Sequence, residues 1–332
     1  MTPAVDPPQR ILVINVSRIG DTLLVTPALR ALASAWPQAR ISFFGHPRRV
    51  EIMQHLPFIA ELGAITKLRA PWLGRLGGAR WDIALVFGFD RALVEYALRV
   101  ARRVVAFRQN DAALDARLFR TAERPAFQTL HAARHPLLLT QALGVPDAGL
   151  RLAYQVTDAE KAWARSTLPR DAKPLVGFQV ASFPTKGYRD WPLEHFASLG
   201  ERLLAQWPDA QLVFLGGSLE RERVVQFAQR FGERATVFAG RFSLRQSAAL
   251  MSQLDLYVGV DTGPTHIMGA LEPPMVALYH CYSPSRVLAP LERARCYVVD
   301  HPRDFASCSP ETPMGEISVD AVWARVREAL GA

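Results

Sequence analysis

The stretch "QLDLYVGVDTGPTHIMGA", residues 253–270, passes from apolar alternation through an acid, a glycine and a proline into small and apolar residues. Its first part reads as a strand. Pro264 suits the first turn of a helix, where its missing N–H would have had no partner. Asp261, Thr262 and Gly263 therefore stand where a strand end meets a helix start. Such a start has unpaired backbone N–H groups and a partial positive charge, which favours an anion, and Gly263 lets a ligand approach the backbone closely.

The same strand-then-helix alternation runs through the whole chain. "RILVINV" at 10–16 is a continuous apolar run suited to a buried parallel strand. "SRIGD" turns, and "TLLVTPALRALASAW" has helical spacing up to Pro37. "ARISFFG", "WDIALVF" and "RRVVAF" read as further strands, separated by helical stretches at 48–55 and 90–100. The helix "QTLHAARHPLLLTQALG" closes this half. Between about 145 and 173 the chain turns richer in Pro, Asp and charge around one short helical piece.

The second half repeats the pattern. The strands are "PLVGFQV", "AQLVFLGG", "ATVFAG", the opening stretch and "MVALY". The helices are "PLEHFASLGERLLAQW", "LERERVVQFAQRFG", a segment capped by Ser243 and Gln246, and "VDAVWARVREAL". This predicts an α/β protein of two doubly wound parallel sheets, in domains 1–155 and 173–332 joined by a linker at 156–172. Ligands are expected in a cleft at the carboxyl ends of the strands.

Composition narrows the function classes. The chain has 332 residues, 49% of them hydrophobic, and a formal net charge of +8. No apolar run approaches the roughly 20 residues needed to span a bilayer, and "MTPAVDPPQR" lacks the order of a signal peptide, so a cytoplasmic protein is expected. The three cysteines, Cys281, Cys296 and Cys308, form no C-x-x-C pair. Reduced thiols are expected, with no disulfide framework and no zinc site. The positive balance implies polyanionic partners: nucleic acid, an anionic membrane surface or phosphorylated substrates. Nucleic acid is the weakest of these, because the basic residues are not interleaved with stacking aromatics along a strand.

Two common nucleotide motifs are missing. A dinucleotide site would want G-x-G-x-x-G after the first strand, where only Gly20 stands, and G-x-x-x-x-G-K-[ST] does not occur. What remains is a carboxylate, Asp21, after the first strand, and in the second half an anion-binding turn with basic residues in the loop at 179–191. A sugar diphosphate on the second domain opposite a carboxylate on the first would be poised for displacement by a hydroxyl.

Four blocks in order then carry a resemblance: "ILVINVSRIGDTLLVTPALRAL", "DWPLEHFASLGERL", "VFLGGSLERERV" and "VGVDTGPTHIMGALEPPMVALY". Together they resemble glycosyltransferase family 9, the ADP-heptose:lipopolysaccharide heptosyltransferases. The resemblance runs from residue 11 to "EISVDAVW", and the D-T-G-x-x-H block is its most specific part. It implies a GT-B architecture of two Rossmann-like domains and inverting transfer of heptose without a metal or other cofactor. It also implies an ADP-sugar donor on the C-terminal domain and an anionic lipopolysaccharide core acceptor on the N-terminal one, at the cytoplasmic surface of the inner membrane.

The resemblance also implies roles. Asp21 matches the general base in the S-x-I-G-D segment; from the residues alone it is equally a helix N-cap before "TLLVTPAL". Arg189 stands where the family usually has lysine, two residues before Trp191, and Lys186 lies further back; either cation suits charge building on a leaving diphosphate, with Thr185 as an added donor. Thr262, Gly263 and Thr265 would face the diphosphate. His266 either reaches phosphate or fills space under the helix, and Asp261 bonds the turn backbone. Glu220 or Glu222 would grip ribose hydroxyls, the other being an acidic first helical turn. "KLRAPWLGRLGGARW" at 67–81 offers Arg69 and Arg75 to the acceptor. "YHCYSP" departs from the Gly-Pro pair usual there. Two alternatives stay open: a noncatalytic nucleotide-sugar or anionic-glycan binder, and a member using another sugar donor.

Overall fold

A computed structural model describes residues 6–169, 172–182 and 184–332. The amino-terminal residues read against a signal peptide therefore lie partly outside the described residues, as do residues 170–171 of the expected linker. The chain divides into two compact units, 1–155 and 156–332, each built on one sheet.

The first unit contains β1 (Arg10–Asn15), β2 (Arg40–Gly45), β3 (Glu61–Ala64), β4 (Trp81–Val86), β5 (Ala101–Phe107) and β6 (Arg120–Ala122). Their order across the sheet is β3-β2-β1-β4-β5-β6, all parallel. The second unit contains β7 (Leu175–Gln179), β8 (Gln211–Phe214), β9 (Ala235–Val237), β10 (Leu256–Val260), β11 (Met275–Tyr279) and β12 (Cys296–Asp300). Its order, β12-β11-β10-β7-β8-β9, is the same winding begun again at β7. In each sheet the chain first travels one way from its founding strand and then the other. The direction reverses between β1 and β4 in one unit and between β7 and β10 in the other. In open parallel sheets ligands bind at the carboxyl ends of the strands flanking such a reversal.

The continuous apolar runs lie in the middle of these sheets because both of their faces are covered. Ile11 to Ile14, Ile83 to Leu85 and Leu256 to Val258 are essentially inaccessible. Three strands that apolar runs did not reveal, β3, β6 and β12, are all edges: "ELGA" and "RTA" have no fully buried residue, and "CYVVD" has one. The helix expected at 128–144 is also shorter. It breaks into a 3-10 turn, Ala132–Arg134, capped by His131, and a helix, Leu137–Gln141, that starts after Pro136.

Trp191, with Pro192 as N-cap of helix Leu193–Gln206, anchors the second core. Its ring is fully buried, 4.9 Å from that of Phe196, and its indole N–H donates to the Ile317 carbonyl at 2.9 Å. At the sheet reversal, Gly259 is required by space. A Cβ there would fall 2.6 Å from the Tyr257 hydroxyl and 2.8 Å from Gln179 Cβ.

One sequence expectation changes. Cys281 and Cys308 form a disulfide, and Cys296 alone keeps its thiol. The loops that follow β11 and β12 bring two cysteines 27 positions apart to a Cα separation of 5.8 Å, a pairing no local spacing announces. The short helical piece expected near the linker is helix Asp158–Thr167, which packs on helix Leu244–Met251 of the second unit. Among the described residues no helix is long and apolar enough to cross a membrane.

The contact between those two helices includes an ion pair whose arginine is buried and whose glutamate is partly exposed. Arg245, 6% exposed, donates from Nε to Glu160 Oε1 at 2.7 Å and from Nη2 to Oε2 at 2.5 Å. Burial alone would raise the Glu160 carboxyl. The Arg245 hydrogen bond, and then those from the Thr157 backbone and hydroxyl, pull it down to about 2. Because that value lies below the ordinary 4.5, the pair adds stability above pH 4.5 that is lost as pH falls towards about 2. Glu160→Gln should lower unfolding stability by about 2 kcal/mol at neutral pH, since the charge-assisted bonds from Arg245 lose their carboxylate. In urea denaturation, the gap to the parent protein should narrow as the pH is taken from 4.5 towards about 2.

Candidate active site

The reversal in the second unit is bounded by the ends of β7 and β10. Beyond β10, helix Gly263–Ala270 begins with Thr262 as N-cap, Pro264 in its first turn, and Thr262, Gly263 and Pro264 partly accessible. Asp261, one residue earlier, is 2% exposed. Its Oδ2 accepts from Arg189 Nη1 at 2.5 Å, and His266 Nε2 lies 3.3 Å from Oδ1. Arg189 Nη1 also reaches the Asp261 carbonyl at 3.3 Å. Burial alone would raise the Asp261 carboxyl, but the His266 hydrogen bond and the Arg189 charge outweigh it and hold the group below the ordinary carboxylate value. The D-T-G-x-x-H block thus has an internal logic, its acid and histidine clamping the two ends of the turn.

Several expected roles shift. The Asp261 carboxylate accepts from Arg189 and lies against His266 rather than bonding the turn backbone. His266 is 8% exposed and engaged by Asp261. The Thr265 hydroxyl does not face outward. It is buried, donates to the Val260 carbonyl at 2.5 Å and lies 2.9 Å from the Tyr257 hydroxyl. Thr262 Oγ1 is 3.3 Å from it, and Thr262, Gly263 and Pro264 are the members of the block with accessible surface.

Beyond β7, the Ser182 hydroxyl donates to the Lys186 carbonyl at 2.7 Å. The Ser182 N–H donates to Asp190 Oδ1 at 2.6 Å, and Arg223 holds Asp190 Oδ2 at 2.8 Å. These bonds close a compact loop on which Thr185 is exposed and Lys186 half-buried, its Nζ 5.5 Å from the Tyr188 ring centre. The two cations the sequence could not separate now differ. Arg189 is committed to Asp261, whereas Lys186 has no carboxylate partner among the described residues.

The two glutamates differ as well. Glu220 is half-buried at the head of helix Arg221–Ala228, and its Oε2 lies 2.7 Å from where a Cβ on Gly217 would stand. Glu222 is exposed on the first helical turn. Glu220 is the one turned over the glycine loop at the end of β8.

In the first unit Asp21 is not an N-cap. Helix Ile19–Leu23 starts two residues before it, with Arg18 in the cap position, and the Asp21 carboxylate is exposed. Its carbonyl accepts from Asn15 Nδ2 at 3.0 Å, which fixes the segment to the end of β1. Sequence reasoning missed the company it keeps. Arg49, after β2, donates to the Ser17 carbonyl at 2.7 Å. Its charged form is opposed by burial and by the Arg18 and Arg48 charges, and supported by Asp21. Burial, and then the charges of Arg49 and Arg48, hold His46 below its ordinary value. The signal was "GHPRR" directly after a strand. Arg69 and Arg75 lie on the separate loop after β3, both exposed.

For metal, the described residues offer one group: His280 Nδ1 and the sulfurs of Cys281 and Cys308 lie within 4.8 Å of one another. The sulfurs are bonded together, and Nδ1 accepts from the Tyr282 N–H at 3.0 Å.

The chain matches glycosyltransferase family 9 (heptosyltransferase) over residues 75–315. It belongs to that family. Lipopolysaccharide heptosyltransferase 2 of Salmonella typhimurium is 27% identical over 296 residues, covering 83% of this chain and 84% of the relative. The family 9 glycosyl transferase structure from Veillonella parvula superposes with a TM-score of 0.83 at 22% identity, over 98% of this chain and 99% of that one. Escherichia coli heptosyltransferase WaaC, solved with ADP-2-deoxy-2-fluoro heptose, gives 0.72 at 18% identity, over 96% and 99% of the two chains. As a member of this family the chain is a glycosyltransferase, with the two-sheet α/β fold of GT-B enzymes.

The commitment of Arg189 to Asp261 has a measurable sign. Arg189→Ala leaves a buried carboxylate with His266 alone and should lower unfolding stability by about 3 kcal/mol. Lys186→Ala removes no ion pair and should change it by less than about 0.5 kcal/mol. Urea denaturation of the two variants at neutral pH makes the comparison.

Proposed function

We propose that this chain transfers a heptose from ADP-heptose to a hydroxyl of the lipopolysaccharide inner core, with inversion and without a metal, at the cytoplasmic face of the inner membrane. The observation that carries this reading is the turn at the end of β10. There an accessible helix start is held rigid by the Asp261–Arg189 and Asp261–His266 contacts, in a member of the heptosyltransferase family. Thr262, Gly263 and the backbone N–H groups of the first turn receive the diphosphate. Lys186, helped by Thr185, stabilises the charge that builds on the leaving group. Arg189 acts through Asp261 as a positioning residue. Glu220 takes the ribose hydroxyls. A WaaC structure carrying an ADP-heptose analogue on the same fold supports this choice of donor.

In the first unit, Asp21 removes the acceptor proton as the hydroxyl attacks C1 of the sugar. Its exposed carboxylate has no capping duty to compete with that task. Arg18, Arg48 and Arg49 take up the negative charge of the core. No observation favours the noncatalytic alternative, since the candidate base and a cation for the leaving group are both present.

Asp21→Asn should leave stability and ADP affinity unchanged and lower turnover by about 10²- to 10⁴-fold, the range for a lost general base. Lys186→Ala should lower turnover by about 10²-fold and weaken ADP binding as well, because its charge meets the diphosphate before and during departure. Steady-state kinetics with ADP-heptose and a truncated core acceptor, beside calorimetry with ADP, checks both. Normal turnover in Asp21→Asn would remove the base from this assignment.

A further inference from the structure

The loop between β3 and β4 carries an apolar group that no part of the transfer chemistry uses. Leu68 is 79% exposed, Trp72 73% and Leu76 94%, and Leu73 is partly exposed beside them. A single exposed leucine needs no explanation, but three large apolar side chains within nine positions form a patch that marks an interaction surface.

The loop is not loose chain whose side chains failed to find the core. Ala70 is completely buried among the residues of the first core. Arg99, on helix Arg91–Val100, donates from Nη2 to the Ala70 carbonyl at 2.6 Å and from Nε to the Leu73 carbonyl at 3.2 Å. Gly74 takes a φ of +68° and lies so close to that helix that a Cβ would fall 2.4 Å from Val100 Cγ1. The backbone is thus fastened at three consecutive points while Leu68, Trp72 and Leu76 are held out in solvent.

The charge around them has one sign. Residues 65–80 contain Lys67, Arg69, Arg75 and Arg80 and no acid, and all four cations are exposed. The Arg75 guanidinium lies 4.8 Å from the Trp72 ring centre, and its Nε donates to the Pro71 carbonyl at 2.8 Å. Tryptophan and leucine flanked by arginine and lysine suit the boundary between lipid headgroups and acyl chains. There the apolar bodies leave water and the cations meet anionic phosphate.

We propose that Leu68, Trp72 and Leu76 insert into the surface of an anionic phospholipid bilayer, with Lys67, Arg69, Arg75 and Arg80 seated on its headgroups. This deepens the reading of a membrane-borne acceptor by naming the surface that meets the membrane. Its test uses neither donor nor acceptor, so its failure would leave the transferase reading standing.

The full chain is sedimented with vesicles of phosphatidylcholine alone or of phosphatidylcholine with phosphatidylglycerol, at low and high salt. The parent protein should pellet with the anionic vesicles at least about tenfold more than with the neutral ones, and high salt should reduce the bound fraction. A Leu68→Ser, Trp72→Ser, Leu76→Ser triple variant should lose that binding by about tenfold or more. It should melt like the parent, because the three side chains lie outside the core. Equal binding of parent and triple variant, or no binding of the parent, overturns the proposal. So does sedimentation of the parent alone as a dimer that the triple variant abolishes, since a second copy would then cover the patch.

Discussion

One buried carboxylate organises the second unit. Taking Asp261 out of water is unfavourable, and the position is tolerable only because Arg189 reaches it from one side and His266 from the other. Those two partners come from different places. His266 belongs to the helix that follows Asp261, so their contact tightens the turn in which Thr262 and Gly263 lie. Arg189 belongs to the loop after β7 and stands two residues before Trp191, whose ring is sealed in the core. The chain of constraint therefore runs from core to Trp191, to Arg189, to Asp261, to the helix start. Lys186 sits on the same loop outside that chain, which leaves its charge available.

The first unit is built on the opposite electrostatic plan. Arg18, Arg48 and Arg49 gather around the ends of β1 and β2, and the one nearby acid that supports Arg49 is Asp21. Like charges held together raise the local potential and attract an anion from solution. Under the proposed function this division follows the substrates. The donor half spends its arginine on rigidity and keeps a lysine for the diphosphate, while the acceptor half keeps a surplus of guanidinium groups for an acidic glycan.

Much of this was legible in the sequence, for physical reasons that differ by element. Central strands announce themselves because both faces are buried, so "RILVIN" and "LYVGV" are apolar throughout. The edge strands "ELGA", "RTA" and "CYVVD" have too little buried surface to leave that mark. The block at 261–266 could be read as an anion turn from its Gly-Pro pair. That its acid and histidine lie against each other, and that Thr265 faces inward to Val260 and Tyr257, depends on three-dimensional packing that periodicity does not encode. A cap at Asp21 fits a helix that starts with the apolar run at Thr22, whereas the helix begins at Ile19. The Cys281–Cys308 bond was invisible because its partners meet only through the folding of two loops.

The repeated winding order has a further meaning. Each sheet reverses direction at its own founding strand, so the place of the reversal in each unit is set by strand pairing and not by the loops around it. β1 pairs with β4 over Ile11 to Ile14, and β7 with β10 over Val176 to Gln179, through strand residues alone. Loops in one half can therefore be exchanged without disturbing the scaffold of the other. Under the proposed function, a lineage carrying this fold could change the glycan it modifies by rewriting the segments after β1 and β2, with the turn at Asp261 kept.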